Sequence, residues 1–139
     1  MKKILLIMSL VILGSTGSLS AQTSDYKVAF DLTSKDSVIH QNLVRWFTEI
    51  PKLYPGAQLE LVLYGKSLDM VVKGRSTVSE QVIKLAQNKN TAIKVCAIAM
   101  KNQKIDKSQL LPGVETVPDG IYELVSKQKE GWGYIKAAN

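Results

Sequence analysis

"AIKVCAIAMKNQKID", residues 92–106, is the stretch on which the fold turns. A short apolar run through Ile93 and Val95 ends at Cys96, and helix-forming residues follow at once through Ala97, Ala99 and Met100. A strand that passes straight into a helix, with no two-residue turn between, opens a crossover rather than a hairpin, and crossovers join parallel strands.

The same alternation extends in both directions. Upstream, "YKVAFDL" (26–32) reads as a first strand, ending at Asp31 and the turn-rich "TSKDS". From Ser37, apolar residues at Ile39, Leu43, Phe47 and Ile50 recur at helical spacing, giving a helix with one buried stripe that Pro51 and "YPGA" close. Trp46 and Phe47 cannot both sit at the centre of so narrow a stripe, which points to association with another copy. "AQLELVLYG" (57–65) is a second strand, with Leu59, Leu61 and Leu63 alternating against Glu60, Val62 and Tyr64, both faces largely apolar, and is broken by Gly65. "KSLDMVVKG" fits a short helical turn. Thr77, three residues before Glu80, has the spacing of a capping box and opens a second helix with Val78, Val82, Leu85 and Ala86 inward.

Downstream of 92–106, "VETV" is a short fourth strand. "DGIYELVSKQKEG" is a helix with Asp119 as its cap and Ile121, Leu124 and Val125 on one face, and "WGYIKA" is a closing strand. Strands separated by helices, with no Asn-Gly or Asp-Gly hairpin, predict a three-layer α/β/α sandwich around a mostly parallel five-stranded sheet. Trp132 and Tyr134 read as core or interface residues.

The amino terminus has the pattern of a secretory signal peptide. Lys2 and Lys3 precede an apolar stretch from Ile4 to Leu13, and small residues lead to Ala21. The apolar run is shorter than the roughly 20 residues that a stable membrane span needs. A signal peptide over 1–21 and a single domain over 22–139 are therefore expected, in the periplasm or secreted, without a stable membrane anchor. Of 139 residues, 118 then remain, enough for one domain with its own core. Losing Lys2 and Lys3 takes the formal net charge from +6 to about +4, and the other Lys and Arg are scattered among carboxylates, so nucleic acid is not an expected partner.

In an open α/β sheet, reactive groups collect beyond the carboxyl ends of the strands. Cys96, the sole cysteine, stands at such an end, where the N–H groups of a following helix favour thiolate over thiol. Lys101 and Lys104 are placed to add positive potential, whereas Lys94 faces away. A free cysteine is equally well a small buried hydrophobe, and the sequence leaves both open. His40, the only histidine, falls beside the apolar stripe as a solvated or boundary residue. Asp31, Tyr64 and Gly65 end strands and could share a rim with Cys96, although Asp31 also suits a turn cap. No P-loop, GxGxxG, GxSxG or metal-ligand spacing is present, so no cofactor or metal is expected.

"VCAIAMKNQKID", with "KVAFDL", "LELVLYG" and "GVETVPDGIYELVSKQKEGWGYIK" around it, resembles the DsrE/DsrF-like family, and "LLPGV", "VPDG" and "GWGYI" look like an exported subgroup of it. The resemblance implies a parallel α/β sandwich that assembles into a homo-oligomer, a trimer or hexamer. It also implies that Cys96 takes a sulfane sulfur as a persulfide from a donor and passes it to an acceptor thiol. Two other functions remain open: a non-enzymatic oligomeric binding module of the same fold, in which Cys96 only packs, and a thiol redox sensor.

Overall fold

The computed structural model describes residues 26–138, and the segment read as a signal peptide lies outside them. Five strands alternate with helices: β1 (Lys27–Leu32), α1 (Ser37–Leu53), β2 (Gln58–Leu63), α2 (Ser79–Ala86), β3 (Thr91–Cys96), α3 (Ala97–Asn102), β4 (Glu115–Val117), α4 (Gly120–Lys129) and β5 (Gly133–Ala137). Two 3₁₀ turns, Ser67–Val71 and Lys107–Gln109, fill the longer connections. Every strand pairing is parallel and the order is β4-β3-β2-β1-β5. No helix among the described residues is long and apolar enough to cross a membrane.

Connectivity decides where the layers lie. From β1 to β4 the chain steps one strand at a time in one direction, and right-handed crossovers then keep the intervening helices on one face. The last connection runs back across the sheet from β4 to β5, which places α4 on the other face, over β1, β2, β3 and β5. The two faces differ in character. On the α1 and α2 side, Phe30, Leu32, Leu59, Leu61, Leu63, Ile93 and Val95 meet Leu43, Phe47 and Val82 in one cluster, each large side chain contributing about 1.5–3 kcal/mol by burial. Under α4 the apolar contact shrinks to Ala29, Val62 and Leu124, with Tyr64 packed against them.

Polar residues take the rest of that second face, which is less apolar than the sequence suggests because Glu60 of β2 shares it with Asp31 of β1 and Lys94 of β3. Glu60 is 2% exposed and Asp31 3%. Lys94 shares this face and bridges Glu60 at 3.0 Å and Glu123 at 2.7 Å, with Lys127 3.8 Å from Glu60. Helix α4 therefore turns only Leu124 of its expected apolar trio inward, while Ile121 and Val125 stay exposed. A helix that rests on carboxylates and lysines needs Glu123 and Lys127 on its inner face more than it needs aliphatic residues.

Local chemistry departs from the sequence reading in three further places. Helix α1 continues through Pro51 to Leu53. Thr77 caps nothing: α2 starts at Ser79 after Val78, which makes no side-chain cap, and Ser76 Oγ accepts from the Val78 N–H instead. A capping box does occur at Asp106 and Gln109, on the second 3₁₀ turn. Trp46 and Phe47 both reach Phe30, at ring distances of 6.1 and 5.0 Å, so their adjacency needs no second copy.

Candidate functional site

The chain leaves β3 towards the α1 face and leaves β4 towards the α4 face. Between the carboxyl ends of β3 and β4 the outgoing loops therefore part, and a parallel sheet opens a crevice there. Cys96 is the last residue of β3, paired in register with Val117, the last residue of β4. A cleft of about 540 Å³ opens over it, bounded by Tyr64, Gly65 and Lys66 after β2, Ile98, Ala99, Asn102 and Gln103 of the α3 segment, Asp119 and Ile121 at the start of α4, and Lys35 and Asp69.

Several short-range interactions hold the rim. Gly65 sits at φ +62°, in the left-handed region, and turns the chain out of β2. Ser67, fully buried, donates to the Leu32 and Tyr64 carbonyls at 2.9 and 2.8 Å, tying the ends of β1 and β2 together. The Gln103 amide donates to the Gly65 carbonyl, joining the end of α3 to the loop after β2. Asp119 accepts from the Ile121 and Tyr122 N–H groups and fixes the start of α4. Gly120 lets that helix press onto the cysteine: a Cβ there would lie 3.1 Å from Cys96 Cβ and 3.2 Å from Val62 Cγ1.

Cys96 itself is 6% exposed, a free thiol at the edge of the core with the cleft above it. It occupies the cap position of α3 without a side-chain capping bond, and α3 is only six residues long, so little more than one turn of N–H groups faces it. On the same sheet face, two strands away on β1, stands a second polar group. Asp31 Oδ2 accepts from Tyr64 Oη at 3.1 Å and Tyr134 Oη at 2.6 Å, and Oδ1 accepts from Lys136 Nζ at 2.9 Å. Lys136 also reaches Thr33 Oγ1 and lies over the Tyr64 ring. Tyr64 is pushed up to about 12, by burial first and then by the charge and hydrogen bond of Asp31, with Tyr134 and Cys96 adding to the effect. Tyr134 is also pushed up to about 12, chiefly by its hydrogen bond to Asp31.

Of the residues singled out in the sequence, Cys96, Tyr64 and Gly65 meet at the cleft. Asp31 is inside β1 rather than in a turn, and touches the cleft only through Tyr64. His40 is buried, its Nε2 3.0 Å from the Ser34 carbonyl, because α1 turns it inward beside Ile39; it does not line the cleft. Lys101 points to a separate groove with Ala97, Met100 and Ile105. Lys94 shares the sheet face of Cys96, two residues along the strand, and is held by two carboxylates. Lys35, Lys66, Gln103 and Gly120 are not singled out by the sequence; Lys35, Lys66 and Gly120 stand just beyond strand ends, with "PDG" marking Gly120, whereas Gln103 follows α3. Among the described residues no three His, Cys, Asp or Glu side chains group to hold a metal.

A family model described as the DsrE/DsrF-like family matches residues 8–137. The chain belongs to that family. Solved structures agree with the fold of this DsrE/DsrF-like protein. MTH1491 of Methanobacterium thermoautotrophicum, a protein of unknown function, is 25% identical with a TM-score of 0.75, over 81% of this chain and 99% of that one. BT1422 of Bacteroides thetaiotaomicron, also of unknown function, is 18% identical with a TM-score of 0.68, over 84% and 98%. The ychN protein of E. coli is 15% identical with a TM-score of 0.64, over 79% and 96%. No curated protein matches the chain.

Proposed function

We propose that this DsrE/DsrF-like protein is an exported sulfur carrier that holds a sulfane sulfur as a persulfide on Cys96. The observation that carries the reading is the placement of the one cysteine at the divergence of the β3 and β4 loops, with a cleft opening onto it. The thiolate attacks the outer sulfur of a donor R–S–SH, the donor S–S bond breaks as the Cys96 S–S bond forms, and RS⁻ departs. An acceptor thiolate then attacks the outer sulfur on Cys96 and leaves with it, returning the Cys96 thiolate. No net oxidation occurs in either step, and one cysteine suffices.

Export rests on residues 1–21, and intact-mass measurement of secreted material tests it: a product starting near Gln22 is expected, and retention of Met1–Ala21 refutes it. Self-association into a trimer or hexamer is part of the same reading, supported by exposed Ile121, Tyr122 and Val125 on α4 and Tyr134 and Ile135 on the edge strand β5. Light scattering that finds only monomer at high concentration refutes it.

A competing reading, a binding module in which Cys96 merely packs, draws on the 6% exposure of that residue. One experiment separates the two. The native protein treated with a sulfane-sulfur donor gains one sulfur by mass, a thiol reductant removes it, and Cys96→Ser abolishes the gain while the domain stays folded. A thiol inert to donor and alkylating agent until denaturation establishes the packing role instead.

A further inference from the structure

The charges around the cleft identify what enters it. Two acids and two lysines line it, but they are not equally available. Asp69 is 3.4 Å from Arg75, and Asp119 accepts the two N–H groups that begin α4. Lys35 and Lys66 are exposed and have no ion-pair or hydrogen-bond partner through their ammonium groups among the described residues. A molecule in the cleft therefore meets two unpaired ammonium groups at the rim, against one carboxylate, that of Asp119, which backbone N–H groups hold and no cation pairs among the described residues. The sides of the cleft are partly apolar, with the half-exposed Ile98 and the buried Ala99 from α3 and the exposed Ile121 from α4. The sulfur of Cys96 lies at the bottom, 6% exposed, so a donor must present its reactive sulfur on a slender end that reaches inward. The volume, about 540 Å³, is that of a small-molecule site.

We infer that the cleft selects a small anionic sulfane-sulfur compound, with Lys35 and Lys66 as the residues that select its charge. This rests on the carrier reading of Cys96 and adds the class of donor. Two sources share the chemistry, an inorganic thiosulfonate such as thiosulfate and a carboxylate-bearing persulfide such as that of glutathione. With thiosulfate, the Cys96 thiolate attacks the outer sulfur, the S–S bond of the donor breaks, and sulfite leaves with the bonding pair, so that three negative charges enter and three emerge. With the glutathione persulfide, the same attack expels the glutathione thiolate. In both cases the lysines hold the anionic portion that departs, while Cys96 takes only the neutral sulfur atom.

The test uses the wild-type chain, Lys35→Gln, Lys66→Gln and the double variant, with thermal melting to show that each is folded. Cys96 is first alkylated with iodoacetate and with iodoacetamide, which differ in charge and little in size. The wild type should favour iodoacetate relative to a free cysteine, each substitution should lower that ratio roughly two- to threefold, and salt should lower it further. A ratio that neither the double variant nor salt changes overturns the assignment. Sulfur uptake is then measured by mass with thiosulfate, glutathione persulfide and the persulfide of N-acetylcysteamine, which lacks the carboxylates of glutathione. Faster uptake from one or both anionic donors, reduced in the double variant, supports the inference and tells the inorganic source from the organic one. Uptake only from the N-acetylcysteamine compound overturns the donor class while leaving the carrier function standing. No uptake from any of the three overturns the carrier function, and the donor class with it.

Discussion

Replacing Lys94 by methionine tests the physical account of the polar sheet face. The ammonium lies 3.0 Å from Glu60 and 2.7 Å from Glu123, and its side chain is only 17% exposed. At an effective dielectric near 20 each contact represents about 6 kcal/mol of gross attraction, most of which is offset by desolvation of the three charged groups. What remains after the substitution is the uncompensated pair of carboxylates. Removing one partner from a buried ion pair costs about 3–5 kcal/mol, and because Lys127 still lies 3.8 Å from Glu60 the lower end applies, about 3 kcal/mol. In a domain of this size that lowers the melting temperature by roughly 12 °C.

The pH dependence supplies the sharper check. Burial raises the Glu60 carboxyl above its ordinary range against the opposing hydrogen bond and charge of Lys94. For Glu123 burial also works upward, but the hydrogen bond and charge of Lys94 lead the opposing effects and leave that carboxyl low. A raised carboxyl contributes stability that is full below its unfolded value of 4.5 and is lost as pH rises through the folded value. A lowered one contributes stability present above 4.5 and lost as pH falls through the folded value. In the wild type the two oppose each other. Without Lys94 both carboxyls move up, so the variant's deficit should be largest near neutrality and shrink as pH falls towards 4.5 and one carboxyl takes a proton. Urea unfolding of wild type and variant at about pH 7 and about pH 5 measures this. Glu60→Gln, which leaves Lys94 paired with Glu123, should stay within about 1 kcal/mol of wild type. A Lys94→Met deficit below about 1 kcal/mol at neutrality, or one equal at both pH values, refutes the reasoning.

Three further outcomes are expected. Tyr64 and Tyr134, of the five tyrosines, should ionise near 12 rather than 10, and the stability they contribute should be intact below 10 and lost as pH rises through 12; Asp31→Asn should bring both down in a spectrophotometric titration, and an unchanged curve would show that the carboxylate is not their anchor. Gly120→Ala drives a methyl to 3.1 Å from Cys96 Cβ and should cost about 1–3 kcal/mol in chemical denaturation, with altered alkylation kinetics at Cys96. Ser67→Ala removes the hydroxyl that joins the Leu32 and Tyr64 carbonyls in the buried rim and should cost about 1–3 kcal/mol, whereas a neutral effect would mean that water replaces it.

The sequence by itself determined the order of elements, the parallel sheet and the position of Cys96 at a strand end, because these depend on local periodicity and on which residues end a strand or cap a helix. Asp119 shows the rule working: a carboxylate before a helix reads as a cap, and it is one. Thr77 shows its limit, since capping-box spacing fits many threonines and only backbone geometry decides which is used. Tertiary structure alone decided the order of the strands, and with it the opening between β3 and β4 that makes Cys96 the floor of a cleft. It also decided which lysines matter. Lys94 is two residues from Cys96 and lies on the same face, yet it is bound to Glu60 and Glu123, which are 34 and 29 residues away; Lys35 and Lys66 reach the cleft from the loops after β1 and β2. Charge pairing and desolvation act through space, and the distances that set them are fixed only when strands far apart in the chain lie side by side.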